Sequence, residues 1–250
     1  MLLMAVRGEF DAVPDYAIFA DTQCEPQAVY EHLDWLEQEV AGTVPILRVT
    51  AGNLMEDSLR SRYGYRFATM PLFVRNPDGG VGMLRRQCTR EYKIAIITRT
   101  IRELLGIPRG RRVPYGVRVE QWLGISVDEI HRAKAGRERW IETRFPLLEK
   151  RMRRWDCIVW LKRHGYPIPP KSSCIVCPYH DNAYWRDMRD NRPDEWRRAV
   201  EFDREIRRGL RGVEQEAYLH RQLVPLDEAD IDGVDQVSLF GEECEGMCGF

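Results

Sequence analysis

The 250-residue sequence lacks any apolar run near the roughly 18–20 residues that cross a bilayer, and its opening Met1-Leu2-Leu3-Met4-Ala5-Val6 runs straight into Arg7 and Glu9 without a basic leader. Neither a spanning helix nor a secretory signal is therefore expected, and the reading is a cytoplasmic protein without membrane contact. No segment repeats at a fixed period, which argues against a solenoid or propeller array. Net charge is also scarce, because 38 basic residues face 39 acidic ones and leave −1 overall. Electrostatic attraction to a partner must then come from local charge, not from the whole chain.

Local charge is plentiful. Residues 85–163 hold 21 Lys/Arg against 9 Asp/Glu, whereas residues 213–250 hold 1 against 10. A basic middle suits an anionic ligand, either a nucleotide or a nucleic acid, unless its arginines merely coat solvated helix faces. The acidic tail either folds back onto that basic face or carries no fixed structure. Hydrophobic residues at 44% and charged residues at 31% are ordinary for a globular chain, and 250 residues suffice for one large core or for one core plus a small appendage.

The apolar pattern alternates between short runs and helical periodicity. Tyr16–Ala20 reads as a buried parallel strand with Asp21-Thr22 at its carboxyl end. A helix follows, with Pro26 near its first turn and Val29, Leu33, Leu36 and Val40 on one face. Pro45–Val49 reads as a second strand and residues 53–63 as a second helix, an order that predicts a parallel sheet with helical crossovers. Within 68–84, Asn76-Pro77-Asp78-Gly79-Gly80 signals a hairpin. A helix over 89–105 carries Ile94, Ile97, Ile101 and Leu104, and 113–125 reads as another strand. Helices are expected over 155–164, stopped by Gly165-Tyr166-Pro167, and over 182–190 and 193–209. This divides the chain into an α/β domain at 1–140, a helical metal- or cluster-binding region at 141–212 and an acidic tail at 213–250.

Seven cysteines in a chain without export signals suggest metal, cluster or redox chemistry more than structural disulfides. Cys174-Ile175-Val176-Cys177-Pro178 places two thiols at a spacing that suits one metal or cluster edge, with a thioredoxin-like redox pair as the competing reading. Cys88, after Arg85-Arg86-Gln87, is the expected third ligand. Cys157, His180 or an exogenous group completes the set, and zinc and an iron–sulfur cluster stay equally open. Asp21 and Thr22 stand where open parallel sheets bind ligands, with an ordinary strand-end turn as the other reading. In Gly124-Ile125-Ser126-Val127-Asp128-Glu129-Ile130-His131-Arg132, the glycine and the charged residues suit either a ligand grip or a plain Glu129–Arg132 ion pair.

Six fragments in order, IFADT at 18–22, CTREYK at 88–93, LGISVDEIHR at 123–132, RFPLLE at 144–149, RWDCIVWLKRHG at 154–165 and KSSCIVCP at 171–178, resemble the phosphoadenosine phosphosulfate (PAPS) reductase-like family of the adenine nucleotide alpha-hydrolase superfamily. The resemblance implies a five-stranded parallel sheet flanked by helices, binding an adenine nucleotide (ATP or a sulfonucleotide) at its carboxyl edge. Asp21 and Thr22 would then lie near the nucleotide, with Gly124 and Asp128 in the second motif and Lys93 and Arg132 facing its anionic groups. It implies an iron–sulfur cluster or zinc at Cys88, Cys174 and Cys177, although Gln87 stands where four-cysteine relatives carry a second cysteine. The terminal ECEGMCGF resembles the tail of sulfonucleotide reductases, which casts Cys244 and Cys248 as nucleophilic, catalytic thiols recharged by a thiol electron donor. The family's Ser-Gly-Gly-type phosphate loop and the strand before it are missing, so the sheet is expected without its first strand. Two functions follow: sulfonucleotide reduction or adenylation-dependent sulfur transfer, or a catalytically silent accessory or nucleic-acid-binding protein with a structural metal.

Overall fold

The computed structural model describes residues 1–63 and 70–233. Helix α1 (Leu2–Val6) buries Leu3, Met4 and Ala5. Strand β1 (Ala17–Asp21) leads into helix α2 (Gln27–Glu39), which Pro26 opens and which buries Val29 and Leu33. The chain returns as β2 (Ile46–Thr50), parallel to β1 in a register running from Ala17 opposite Ile46 to Asp21 opposite Thr50. The expected strand–helix–strand unit is therefore present.

Helix α3 (Leu54–Arg60) begins where its sequence provides a cap, since the Asn53 side chain accepts from the backbone N–H groups of Met55 and Glu56. The hairpin expected around Asn76–Gly80 forms between β3 (Phe73–Arg75) and β4 (Val81–Met83). Its turn closes through Asn76 N–H to the Gly80 carbonyl at 2.8 Å, with Gly79 at φ +85°, a conformation suited to glycine. Residues 89–105 are helical as expected, but not uniformly. Thr89–Ile94 form a π-helical segment, and only Ala95–Leu104 are α-helix, α4.

A second parallel pair joins β5 (Val119–Trp122) to β6 (Ile141–Arg144). Among the described residues the strands form two two-stranded parallel sheets and one three-stranded antiparallel sheet, a mixed α/β arrangement with parallel pairing. Among the described residues β1 pairs only with β2, and β5 only with β6. Packing on α4 joins the two pairs, with Ile18 of β1, Ile97 and Ile101 of α4, and Val119 and Ile141 of the second pair in one apolar cluster. The β5–β6 pairing also crosses the boundary expected at residue 140.

Helices α5 (Pro146–Glu149), α6 (Arg154–Arg163), α7 (Asn182–Asn191) and α8 (Pro193–Ile206) follow, and β7 (Ala217–Tyr218) adds to β3. Residues 213–233 therefore belong to the folded body through β7, although the sequence reads them as the start of a tail. The main core lies here, with Trp185, Met188, Phe202 and Ile206 of α7 and α8 packed on Leu72, Leu219, Ile175 and Val176. Asp203 is fully buried within it, yet its carboxylate accepts from the N–H groups of Leu219 and Leu226 and from Arg207. A buried charge needs this degree of pairing to be tolerated. The described residues contain no helix long and apolar enough to cross a membrane.

Candidate functional site

The carboxyl end of β1 meets the Cys174–Cys177 loop. After Asp21 the chain turns sharply, with Gln23 at φ +58° and its N–H donated to Asp21 Oδ1 at 2.7 Å. The turn directs Thr22, Cys24 and Glu25 inward, where each is at least 97% buried. Thr22 Oγ1 lies 3.1 Å from Cys174 Sγ. Ile175 N–H donates to the Cys24 carbonyl at 2.8 Å, and Leu54 N–H at the start of α3 donates to the Thr22 carbonyl at 3.1 Å. The Cys24 thiol donates to Asn53 Oδ1 at 3.6 Å. Three segments far apart in the chain thus converge on one point.

The charged members come from this turn and from the π-helical segment. Glu25 Oε2 accepts from Ser172 Oγ at 3.0 Å, and Oε1 faces Lys93 Nζ at 3.5 Å. A π-turn shifts side chains off the α-helical phase and is common at functional sites. Tyr92 donates to Asp57 Oδ2 at 2.7 Å, tying this segment to α3 beside Lys93. Three buried oxygens nearby, Glu25 Oε1, Ser173 Oγ and Thr89 Oγ1, have no hydrogen-bond partner among the described residues. Buried polar atoms ordinarily find partners, so this shortfall is a feature of functional sites as well as of strain.

The thiols here are strongly disfavoured as thiolates. Burial pushes Cys174 well above the usual thiol range, the Glu25 carboxylate adds to that, and the Lys93 ammonium opposes it. Burial pushes Cys24 to about 12. As arranged, the site holds a neutral thiol beside an ammonium already occupied by a carboxylate. An anion that draws Lys93 away from Glu25 changes that balance.

Lys93 and Ser172 also line an open cleft of about 1430 Å³. Ile18, Phe19 and Ala20 of β1 form one side, and Gln121, Leu123 and Thr143 from the second parallel pair another. Its basic residues outnumber its acidic ones by eight to three, among them Arg85, Arg86, Arg90, Arg102 and Arg109. A smaller concavity over Arg144 has a different character. The Arg144 guanidinium there binds Asp11, Glu120 and Glu149 and lies over the Trp122 ring, a clamp on the amino-terminal loop.

The other residues expected at the site are placed as follows. Asp21 Oδ1 accepts from Tyr30 Oη at 2.8 Å as well as from Gln23, so it shapes the turn. Asp128 Oδ2 accepts from Arg154 N–H at 2.7 Å and ties the Val127–Arg132 3-10 segment to the start of α6. Arg132 pairs with Glu129, and both side chains are about 85% buried. Gly124 joins β5 to that segment. None of these four lines the cleft, whereas Lys93 does. Cys244 and Cys248 lie outside the described residues.

The three cysteines expected as ligands stand as follows. Cys88 and Cys174 border the main core, Cys177 is buried, and no disulfide joins the five described cysteines. Among the described residues, however, no group of three or more His, Cys, Asp or Glu side chains is placed to hold a metal ion. Cys174 Sγ is engaged with Thr22, and the CxxC loop is a tight turn, Cys177 N–H to Cys174 carbonyl at 3.0 Å, with Ile175 and Val176 fully buried. Cys157 interacts with the chain's amino terminus, Asp156 and Asp128, groups that have no part in the Cys174 site. His180 stacks on Tyr184 at 3.6 Å and bonds the Cys174 carbonyl through Nε2 at 2.8 Å, and burial lowers its pKa to about 3. It braces the loop as a neutral ring.

Sequence reading found Thr22, Lys93 and Cys174 but passed over Cys24, Glu25 and Ser172. The available signal was Cys24-Glu25-Pro26, a thiol and a carboxylate between a strand's carboxyl end and a helix's first turn. Compared with protein-family models, curated proteins and solved structures, the chain matches none.

Proposed function

We propose that the cleft binds an adenine nucleotide, ATP or a sulfonucleotide, and that the protein serves sulfur or nucleotide chemistry of the PAPS reductase-like kind. The observation that carries this reading is the continuity of a basic cleft with Lys93 and Ser172, next to the Thr22–Cys174 contact at the carboxyl end of a parallel strand. Ligands of open parallel sheets bind at that end. The arginine-rich wall supplies charge-assisted hydrogen bonds to phosphate or sulfate oxygens, and the apolar residues of β1 suit a purine face. Glu25 keeps Lys93 oriented until an anion competes for it. Isothermal titration with ATP and with adenosine 5′-phosphosulfate at low salt tests the reading. Saturable binding, weakened about tenfold or more in Arg90→Glu and Lys93→Ala variants, is the expected result, and the absence of saturation at millimolar nucleotide overturns it.

An iron–sulfur or zinc centre at Cys88, Cys174 and Cys177 remains a separate proposal. It requires Cys174 to leave Thr22 and a further donor to join. Stoichiometric metal in purified protein, lost in Cys88→Ala, supports it; well-folded metal-free protein overturns it.

One observation favours a second reading. The cleft is larger than the roughly 300–1,000 Å³ of most small-molecule sites, which suits an accessory protein with a polymeric anion in the groove. Oligonucleotide binding abolished by Arg90→Glu, without nucleotide binding, is its signature.

A further inference from the structure

We propose that the outer face of α6 is a docking surface for single-stranded nucleic acid, with Trp155 as its stacking platform. The proposal is independent of what the cleft binds.

Helix α6 contains no fully buried residue, although six of its ten residues are apolar. Its inner side is engaged. Trp160 Nε1 donates to Glu9 at 2.6 Å, and its ring lies tilted against His164, with centroids 4.2 Å apart, and stacks on Tyr166, with centroids 5.8 Å apart. Its outer side carries Trp155, Val159 and Lys162, which the 3.6-residue period places on one stripe. Trp155 is 66% exposed and Val159 36%. A tryptophan left this open on a helix covers no core of its own fold.

The charge around the stripe identifies the partner. Residues 150–163 contain Lys150, Arg151, Arg153, Arg154, Lys162 and Arg163 against Asp156 alone. The Asp156 carboxylate accepts the Arg153 N–H at 2.8 Å and so serves the helix start. Cations at both ends of a 10-residue helix, about 15 Å long, with an open indole between them, match a phosphate backbone carrying unstacked bases. Single-strand binders combine these two elements, a basic track and an aromatic face. A duplex keeps its bases stacked and gives the indole nothing to meet, which favours a single strand.

Fluorescence anisotropy with labelled dT12 and rU12 at about 50 mM KCl tests the assignment, with a 12-bp duplex, heparin and anionic phospholipid vesicles as comparators. Stacking of one base is worth about 1–3 kcal/mol, so Trp155→Ala is expected to weaken single-strand binding about 5- to 150-fold. Trp155→Phe should restore most of it, and heparin binding should not change. Lys162→Ala with Arg163→Ala should lower the slope of log K against log salt by about 1.4. Circular dichroism establishes that each variant is folded, and nucleotide binding in the cleft should be the same in all of them. The proposal fails if Trp155→Ala leaves single-strand binding intact, if it weakens heparin equally, or if vesicles or duplex bind in preference to the single strand.

Discussion

The hydroxyl of Thr22 meets the thiol of Cys174 at 3.1 Å, across 152 positions of sequence. Beside it, Ile175 N–H reaches the Cys24 carbonyl, so a side-chain contact and a backbone contact together fasten the CxxC loop to the end of β1. A buried neutral hydrogen bond contributes about 1 kcal/mol net. Thr22→Val keeps the shape but strands the thiol, and Cys174→Ala strands the hydroxyl. A double-mutant cycle by urea denaturation should give a coupling of about 0.5–1.5 kcal/mol. A coupling near zero would show that the contact does not hold the two loops together.

Burial predicts which thiols stay silent. With its pKa pushed to about 12, Cys24 has about one thiolate in ten thousand at pH 8. Cys174 is shifted the same way by burial and Glu25. Iodoacetamide at pH 8, followed by mass spectrometry, should leave both unlabelled in native protein and label both in urea. If an anion in the cleft draws Lys93 from Glu25, Cys174 loses its compensating cation and becomes slower still. Rapid native labelling of Cys174 would contradict the closed geometry.

The strands and helices were legible where burial imposes a period. Val29 and Leu33 mark α2, and Ile97 and Ile101 mark the face of α4 that packs on Trp140 and Ile141. The π-turn at Thr89–Ile94 was not legible, because a one-residue change of phase over six residues leaves the apolar pattern nearly intact. Nor was the division into separate sheets, since a sequence shows which runs are strands but not which edges find partners. At the site, Thr22, Lys93 and Cys174 stood out as chemical types in suggestive places. Glu25 did not, because one acid before a proline looks like an ordinary helix start, and only the fold brings Lys93 to it from 68 positions away. The three-cysteine ligand set rested on the CxxC spacing and on the resemblance, neither of which gives the distance from Cys88 to the Cys174–Cys177 loop.

Two buried histidines make stability depend on pH. His180, lowered to about 3, bonds the Cys174 carbonyl, and His220, lowered to about 4, accepts Gln222 N–H at Nδ1 while Nε2 meets Asn182 Oδ1 at 3.0 Å. Burial is the first cause in both cases. The unfolded chain protonates each near 6.5 and the folded chain only near 3 to 4, so the unfolded state binds more protons between those values. Stability contributed by the neutral rings is therefore complete above about pH 6.5 and declines as pH falls toward 4 and then 3. Urea midpoints should fall steadily from pH 7 to pH 4.5. His180→Phe, which keeps the stack on Tyr184, should flatten that dependence even if it lowers stability at pH 7. An unchanged slope would mean that His180 is not held neutral.

The pair at the centre of the site offers a test that separates its structural role from its ligand role. The Glu25 side chain is 1% exposed and that of Lys93 15%, at 3.5 Å. Removing one member of a buried pair strands the other charge and costs about 3–5 kcal/mol, so Lys93→Ala should lower the thermal midpoint by roughly 6–20 °C at the 2–4 °C per kcal/mol of a chain this size. Adding Glu25→Gln removes the stranded carboxylate and should recover part of that loss. The single Glu25→Gln variant separates the roles. If Glu25 competes with a bound anion for the ammonium, this variant binds adenosine 5′-phosphosulfate several-fold more tightly than the parent while being less stable. If the pair only braces the fold, affinity and stability fall together, and the cleft's anion site lies away from Lys93.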